Sequence, residues 1–269
     1  EIVDQALQYA IDGGDYALAD RLFLSVVISN PASYTTDRFL AALRKVPVPV
    51  LPDYPLLAFG LSLALLSNPL LRAEGQQVAR IAVESTARPS YVEPSIDEFA
   101  ILAMQAVARR LALKFRDSAK ACLEVLQAAE KMDVALLGTF RDHVGTILRQ
   151  VGYSLLQGGL ISEAISAISR SVSLCATPTT RDYSTVYAAG ISAFTGDLMR
   201  ARALSAAIDT DAWPIELRKS YMNGLGLVAD GYACLDALDF AGAAGGLPGA
   251  EAHTPTARVW PLPPPVPVG

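Results

Sequence analysis

Apolar residues recur along most of the chain at intervals of three and four, the spacing that lines them up on one face of an α-helix. Ile2, Val3, Ala6, Leu7 and Ala10 form one such stripe, and Ala17, Leu18, Leu22, Phe23, Val26 and Val27 form the next, with Gly13-Gly14-Asp15 between them. Stripe, bend and stripe predict two antiparallel helices. Around the bend a Gly or Asp is followed four residues later by Ala, a side chain small enough to let the returning helix approach closely. The same signature recurs as Arg116-Asp117 with Ala121, Gly159-Leu160 with Ala164, Gly196-Asp197 with Ala201, and Leu238-Asp239 with Ala243. Repetition of one hairpin predicts an all-α fold, a right-handed α-solenoid of about six helical hairpins of tetratricopeptide-like design.

Between these signatures the pattern is less regular. A short helix is expected from Thr36 to Arg44, after Asn30-Pro31. The prolines from Val46 to Pro52 argue against helix and predict an extended connector. Leu56 to Leu66 and Leu70 to Ser85 read as a degenerate hairpin bent at Asn68-Pro69, with Ala73 as its small residue. Ser95 with Glu98 resembles a capping box that opens a helix to Phe115, partnered by Ser118 to Lys131. Thr139 to Gln157 pairs with Ser162 to Leu174, and Asp182 to Phe194 with Leu198 to Ile208; Trp213-Pro214 opens a long helix to Leu235, and a last helix begins at Asp239. No alternating apolar-polar run bounded by turn residues predicts a strand. Residues 1–247 thus read as one helical-repeat domain, with a subdivision near 46–53 left open, and 248–269 as a proline-rich tail, disordered or strapped along the last hairpin.

The bend residues 15, 69, 117, 160, 197 and 239 give a loose period, longer than the tetratricopeptide repeat of about 34. That pattern wants a small residue eight positions before the bend, where Gly152, Ala189 and Gly231 fall in three units, while Arg109 and Leu7 occupy it in two others. Mapped the same way, the concave face carries Arg110, Arg149, Tyr153, Tyr183 and Tyr232 on an apolar lining. Tyr and Arg join contact area to directional donors and dominate recognition hot spots, so these five are candidate binding residues for a protein partner or a small-molecule effector. The alternative puts the Tyr rings in the core between repeats and the Arg heads in water.

Charge narrows the partners. With 18% charged residues, a net charge of −5 and pI near 5.1, the chain has no global attraction for a phosphate backbone or an anionic membrane, so direct contact with nucleic acid is not expected. Tyr54 to Leu71 is uncharged over 18 residues, but Asn68-Pro69 breaks it and Pro55 suits a first helical turn, which predicts two shorter buried helices instead of a membrane span. Cys122, Cys175 and Cys234 lie far apart without a CxxC, consistent with a reducing cytoplasm. The two histidines, His143 and His253, suit neither a metal site nor a hydrolase triad, and no GxSxG is present. Asp236 and Asp239 sit at a hairpin turn where capping accounts for Asp239, and Asp209 and Asp211 read as a turn and not a calcium loop. The basic set Arg109, Arg110, Lys114, Arg116 and Lys120 reads as a solvated face. No catalytic residue, metal or cofactor is expected; a homo-oligomer stays open, and the remote alternative is an all-α enzyme.

Gly196-Asp197-Leu198-Met199-Arg200-Ala201, Trp213-Pro214, Ala237-Leu238-Asp239-Phe240, His253-Thr254 and Trp260-Pro261 form a series, preceded by Gly13-Gly14-Asp15-Tyr16 and Asp53-Tyr54-Pro55-Leu56-Leu57. It resembles the helical-repeat region of large LuxR-type ATP-dependent transcriptional regulators. The resemblance implies a section that senses an inducer or regulatory protein and passes the signal between a nucleotide-driven oligomerisation domain and a helix-turn-helix. The chain itself carries no GxxxxGK and no basic recognition helix after Trp260, and Leu262 to Gly269 departs from the pattern. Beginning at Glu1, it reads as part of something longer. A stand-alone tetratricopeptide-like adaptor is the alternative.

Overall fold

The computed structural model describes residues 2–29, 37–85, 96–208, 213, 224–239 and 241–242, and every element among them is helical. The fold is all-α. It divides into two compact units, Glu1–Ala188 and Ala189–Gly269.

In the first unit α1 (Ile2–Asp12) packs on α2 (Tyr16–Ser29), and the short α3 (Asp37–Leu43) leans on α1 and on α4 (Pro55–Leu66). Nearly every residue of α4 is buried, because α2, α3, α5 (Arg72–Glu84) and α6 (Ile96–Leu111) all pack against it. That accounts for its lack of charge without a bilayer. No helix among the described residues is long and apolar enough to cross a membrane. Then α6 pairs with α7 (Phe115–Glu130), a short α8 (Val134–Thr139) leads into α9 (Arg141–Gln157), and α9 pairs with α10 (Ile161–Leu174). Successive pairs touch through α2 and α4, α5 and α6, and α6 and α7 with α9. The division between the units falls inside α11 (Pro178–Phe194); in the second unit α12 (Leu198–Ala206) packs on α13 (Gly224–Asp236).

Five bends share one backbone construction. Gly14, Leu113, Gly159, Gly196 and Leu238 each hold a positive φ between 58° and 84°. At each, that residue's N–H bonds to the carbonyl three residues back, and the next N–H bonds to the carbonyl five back, as Gly159 to Leu156 and Leu160 to Leu155. This double closure satisfies the orphan carbonyls of the outgoing helix. The carboxylates of Asp15, Asp197 and Asp239 then accept from the N–H three residues on, capping the returning helix.

The second bend corrects the expected register. It lies at Leu113-Lys114, three residues before Arg116-Asp117, and α6 stops at Leu111 instead of reaching Phe115. Leu is a poor residue for positive φ, so the usual Gly or Asp was missing from the sequence. With the register moved, the small position eight residues before the bend becomes Ala106, not Arg109, and the returning-helix position becomes Ser118. Ala19, Ser118, Ala164 and Ala201 are all wholly buried there. Ser118 adds a hydrogen bond of 2.7 Å from its Oγ to the Ala106 carbonyl, so a polar residue serves in the close contact. On α9 a Cβ at Gly152 would fall within 2.6 Å of Ile168 and 3.2 Å of the Ala164 carbonyl.

Two further expectations are corrected. Residues Val48–Asp53 are a 3-10 helix, not an extended connector; Val50 N–H reaches the Pro47 carbonyl and Tyr54 N–H the Leu51 carbonyl, so no proline is asked to donate. Ala73 is exposed, and the helix contact in its hairpin is made by Gly75, whose Cβ would lie 2.8 Å from Leu66 Cγ. Asn68 opens a 3-10 turn (Pro69–Leu71) there and caps it through Leu70 N–H, which displaces the contact by half a turn. Ala243, the N-cap at Ser95, the loop with Asp209 and Asp211, Pro214, His253-Thr254, Trp260-Pro261 and the 248–269 tail lie outside the described residues.

Candidate functional site

Helix ends in the first unit are held from other helices. The buried Asp20 on α2 accepts from Leu57 N–H at 2.9 Å and so caps α4, whose own preceding residue, Tyr54, has no capping side-chain bond. Asp142 in the first turn of α9 does the same for α11. Its Oδ1 accepts from Ala176 N–H at 2.6 Å, Thr177 N–H at 3.1 Å and Thr180 Oγ1 at 3.0 Å. Partial burial raises the Asp142 pKa, but the bonds from Thr177, Ala176 and Thr180 outweigh it and hold the carboxyl below its ordinary range. Beside it, partial burial pushes His143 down against the pull of Asp142, and its ring stands edge-on to Phe140.

The region positioned by these caps holds four of the five candidate residues. Arg110, Arg149, Tyr153 and Tyr183 are exposed by only 5%, 1%, 8% and 2%. Tyr rings in the core match one sequence reading; Arg heads in water do not occur. Tyr232 belongs to the second unit, where it packs with Phe194 at 6.1 Å beside Ala189, Ala193, Ala201 and Ala229.

Helix periodicity assembles the cluster. Arg149 and Tyr153 are four apart on α9, and so are Gln150 and Ser154; Tyr183 and Tyr187 are four apart on α11. From the last turn of α6, Arg110 reaches α9, its Nη1 donating to the Gln150 carbonyl at 3.1 Å and to Ser154 Oγ at 3.2 Å, and its Nη2 to Gln150 Oε1 at 2.9 Å. The same guanidinium lies 4.8 Å from the centre of the Tyr153 ring. Tyr153 meets Tyr187 edge to face at 5.6 Å. Arg149 lies 5.6 Å from the Tyr183 ring and 5.7 Å from Tyr187. Arg110, Tyr153, Tyr187, Arg149 and Tyr183 are thus joined contact by contact across α6, α9 and α11, and the three Arg–Tyr contacts lie within the range of cation–π attraction.

The two arginines differ in their hydrogen bonds. Arg110 is bonded through both terminal nitrogens, whereas Arg149 Nε and Nη1 are buried with no hydrogen-bond partner. Tyr187, Gln150 and Ser154 were not among the sequence-predicted residues. Their signal was present as the four-residue spacing to Tyr183 and to each other.

No nucleophile is armed in this region. Cys122 lies near Arg110 and Ser154, and burial pushes its thiol up, against lowering by Ser154, Arg110 and Ser118, so it stays a neutral thiol. All three cysteines are free. Among the described residues no three His, Cys, Asp or Glu side chains converge as metal ligands. The basic set does not act as one surface, since Arg110 is interior while Arg109 and Lys120 line a surface hollow of about 190 Å³ shared with Asp117 and Glu124. No protein-family model matches the chain, and no curated protein matches it.

Proposed function

We propose that the chain is a non-catalytic binding and sensing scaffold, a right-handed solenoid of about six helical hairpins of tetratricopeptide-like design. It serves as the effector or protein-interaction region of a cytoplasmic LuxR-type transcriptional regulator, without touching nucleic acid itself. The observation that carries this reading is the fivefold recurrence of one bend, with a positive-φ residue and the same pair of closing hydrogen bonds. Identical bends with small residues at the helix contact are what a stacked array needs, because each hairpin buries its apolar side only against its neighbour. Of the candidate residues, Arg149 supplies the recognition chemistry, since its Nε and Nη1 are unspent donors beside the Tyr183 ring.

Small-angle scattering tests the architecture. A compact domain of this length has a radius of gyration of about 18 Å, and a solenoid should exceed it clearly. A value at the compact limit removes the reading. The regulatory role is tested by the coding sequence on either side, where a phosphate-binding domain upstream and a helix-turn-helix downstream in one reading frame are expected. Their absence leaves the stand-alone adaptor.

A further inference from the structure

The geometry points to Arg149 as the receiving group of a small-oxyanion site between α9 and α11, one that takes a carboxylate or phosphate group. This deepens the scaffold reading and rests on it, by naming the chemistry of an effector. Arg149 is 1% exposed, and its Nε and Nη1 have no hydrogen-bond partner. No ion pair to it occurs among the described residues, in contrast to Arg44 with Glu74, Lys45 with Asp12 and Arg202 with Asp236, all partly exposed. A guanidinium buried this way has lost its water without gaining acceptors, a costly state unless something supplies them. The Tyr183 and Tyr187 rings attract the positive charge but offer only their π faces at 5.6 and 5.7 Å, which leaves the Nε and Nη1 donors unanswered.

Arg110 shows what an answered guanidinium looks like in the same fold. It has the Gln150 carbonyl and amide oxygen and the Ser154 hydroxyl, all neutral acceptors. Arg149 has none of these, so the complementary occupant is one that brings oxygen acceptors and negative charge together. Planar, fixed donors of guanidinium favour carboxylate and phosphate oxygens. The 1% exposure of Arg149 restricts the occupant to a small oxyanion or to the charged end of a small molecule.

Thermal unfolding of the whole chain at constant ionic strength tests this, with inorganic phosphate and acetate as probes against chloride. The expected result is a saturable rise in Tm with at least one probe, about 5 °C at a hundredfold excess over its dissociation constant, lost in Arg149→Met. Arg149→Lys keeps the charge without the planar donor set and should weaken the midpoint at least tenfold; it serves alone if Arg149→Met does not fold. No saturable response of the wild type to either probe overturns the inference. An undiminished response in the variants also overturns it, since the effect is then an adventitious ion only. The scaffold reading is judged by scattering and stands or falls apart from these results.

Discussion

Helix α9 meets α6 and α11 through buried arginines that obey opposite bookkeeping. Arg110 crosses from α6 with hydrogen bonds to Gln150 and Ser154 and a cation–π contact to Tyr153, so its burial is matched by acceptors. Arg149 has two Tyr rings and no acceptor for Nε or Nη1. Similar burial and similar aromatic company thus give one structural joint and one group with unused capacity. Burial alone does not distinguish them; the acceptor inventory does.

The largest effect should come from breaking the frame that holds both arginines. Gly152→Leu inserts a side chain where a single Cβ already meets Ile168, forcing α10 away from α9, and should cost about 3 kcal/mol or more in chemical unfolding. Next, Arg110→Met removes the hydrogen bonds to the Gln150 carbonyl, Gln150 Oε1 and Ser154 Oγ together with the cation–π contact to Tyr153, and should cost about 2 kcal/mol. Arg149→Met removes an unpaired buried charge in exchange for its cation–π contacts. Without added anion it should raise stability by about 1 kcal/mol, opposite in sign to Arg110→Met. If the two variants lose equal stability, the contrast between the arginines is gone.

The smallest effect concerns the cap that seats α11 against α9. The Asp142 pKa is lowered in the folded state, so its stabilisation is present above the unfolded value near 3.8 and is lost as pH falls through the lower folded value. Asp142→Asn should therefore cost about 1 kcal/mol or less near neutrality, a partly exposed group being screened, and the difference from wild type should shrink below pH 3.8 in a pH series of unfolding curves. A difference that stays constant through that range would show that the carboxylate charge is not what holds the cap.

Much of the hairpin order was legible in advance because helical periodicity is a local property and Gly-Asp bends announce themselves. The bends at Gly14, Gly159 and Gly196 fall where the sequence placed them. The Leu113 bend was misplaced by three residues because its positive φ is imposed on a Leu, and no local signal marks that. The 3-10 turns from Pro47 to Tyr54 were hidden by a proline density that reads as extended chain. Arg110, Arg149, Tyr153 and Tyr183 were legible as a set through their positions on helices. Their surroundings were not, for whether an Arg head ends in water or against Tyr depends on how closely neighbouring helices approach.

The amino-acid order by itself determined that the chain is helical, where most hairpins turn, and which small residues let helices touch, since these follow from spacing, φ preference and side-chain volume. Only the tertiary structure decided that Ser118 and Gly75 take over close contacts, that Asp20 and Asp142 cap helices other than their own, and that one buried arginine is satisfied while its neighbour is not. The reason is physical: hydrogen bonds and burial join residues far apart in the chain, and their balance exists only once the helices have met.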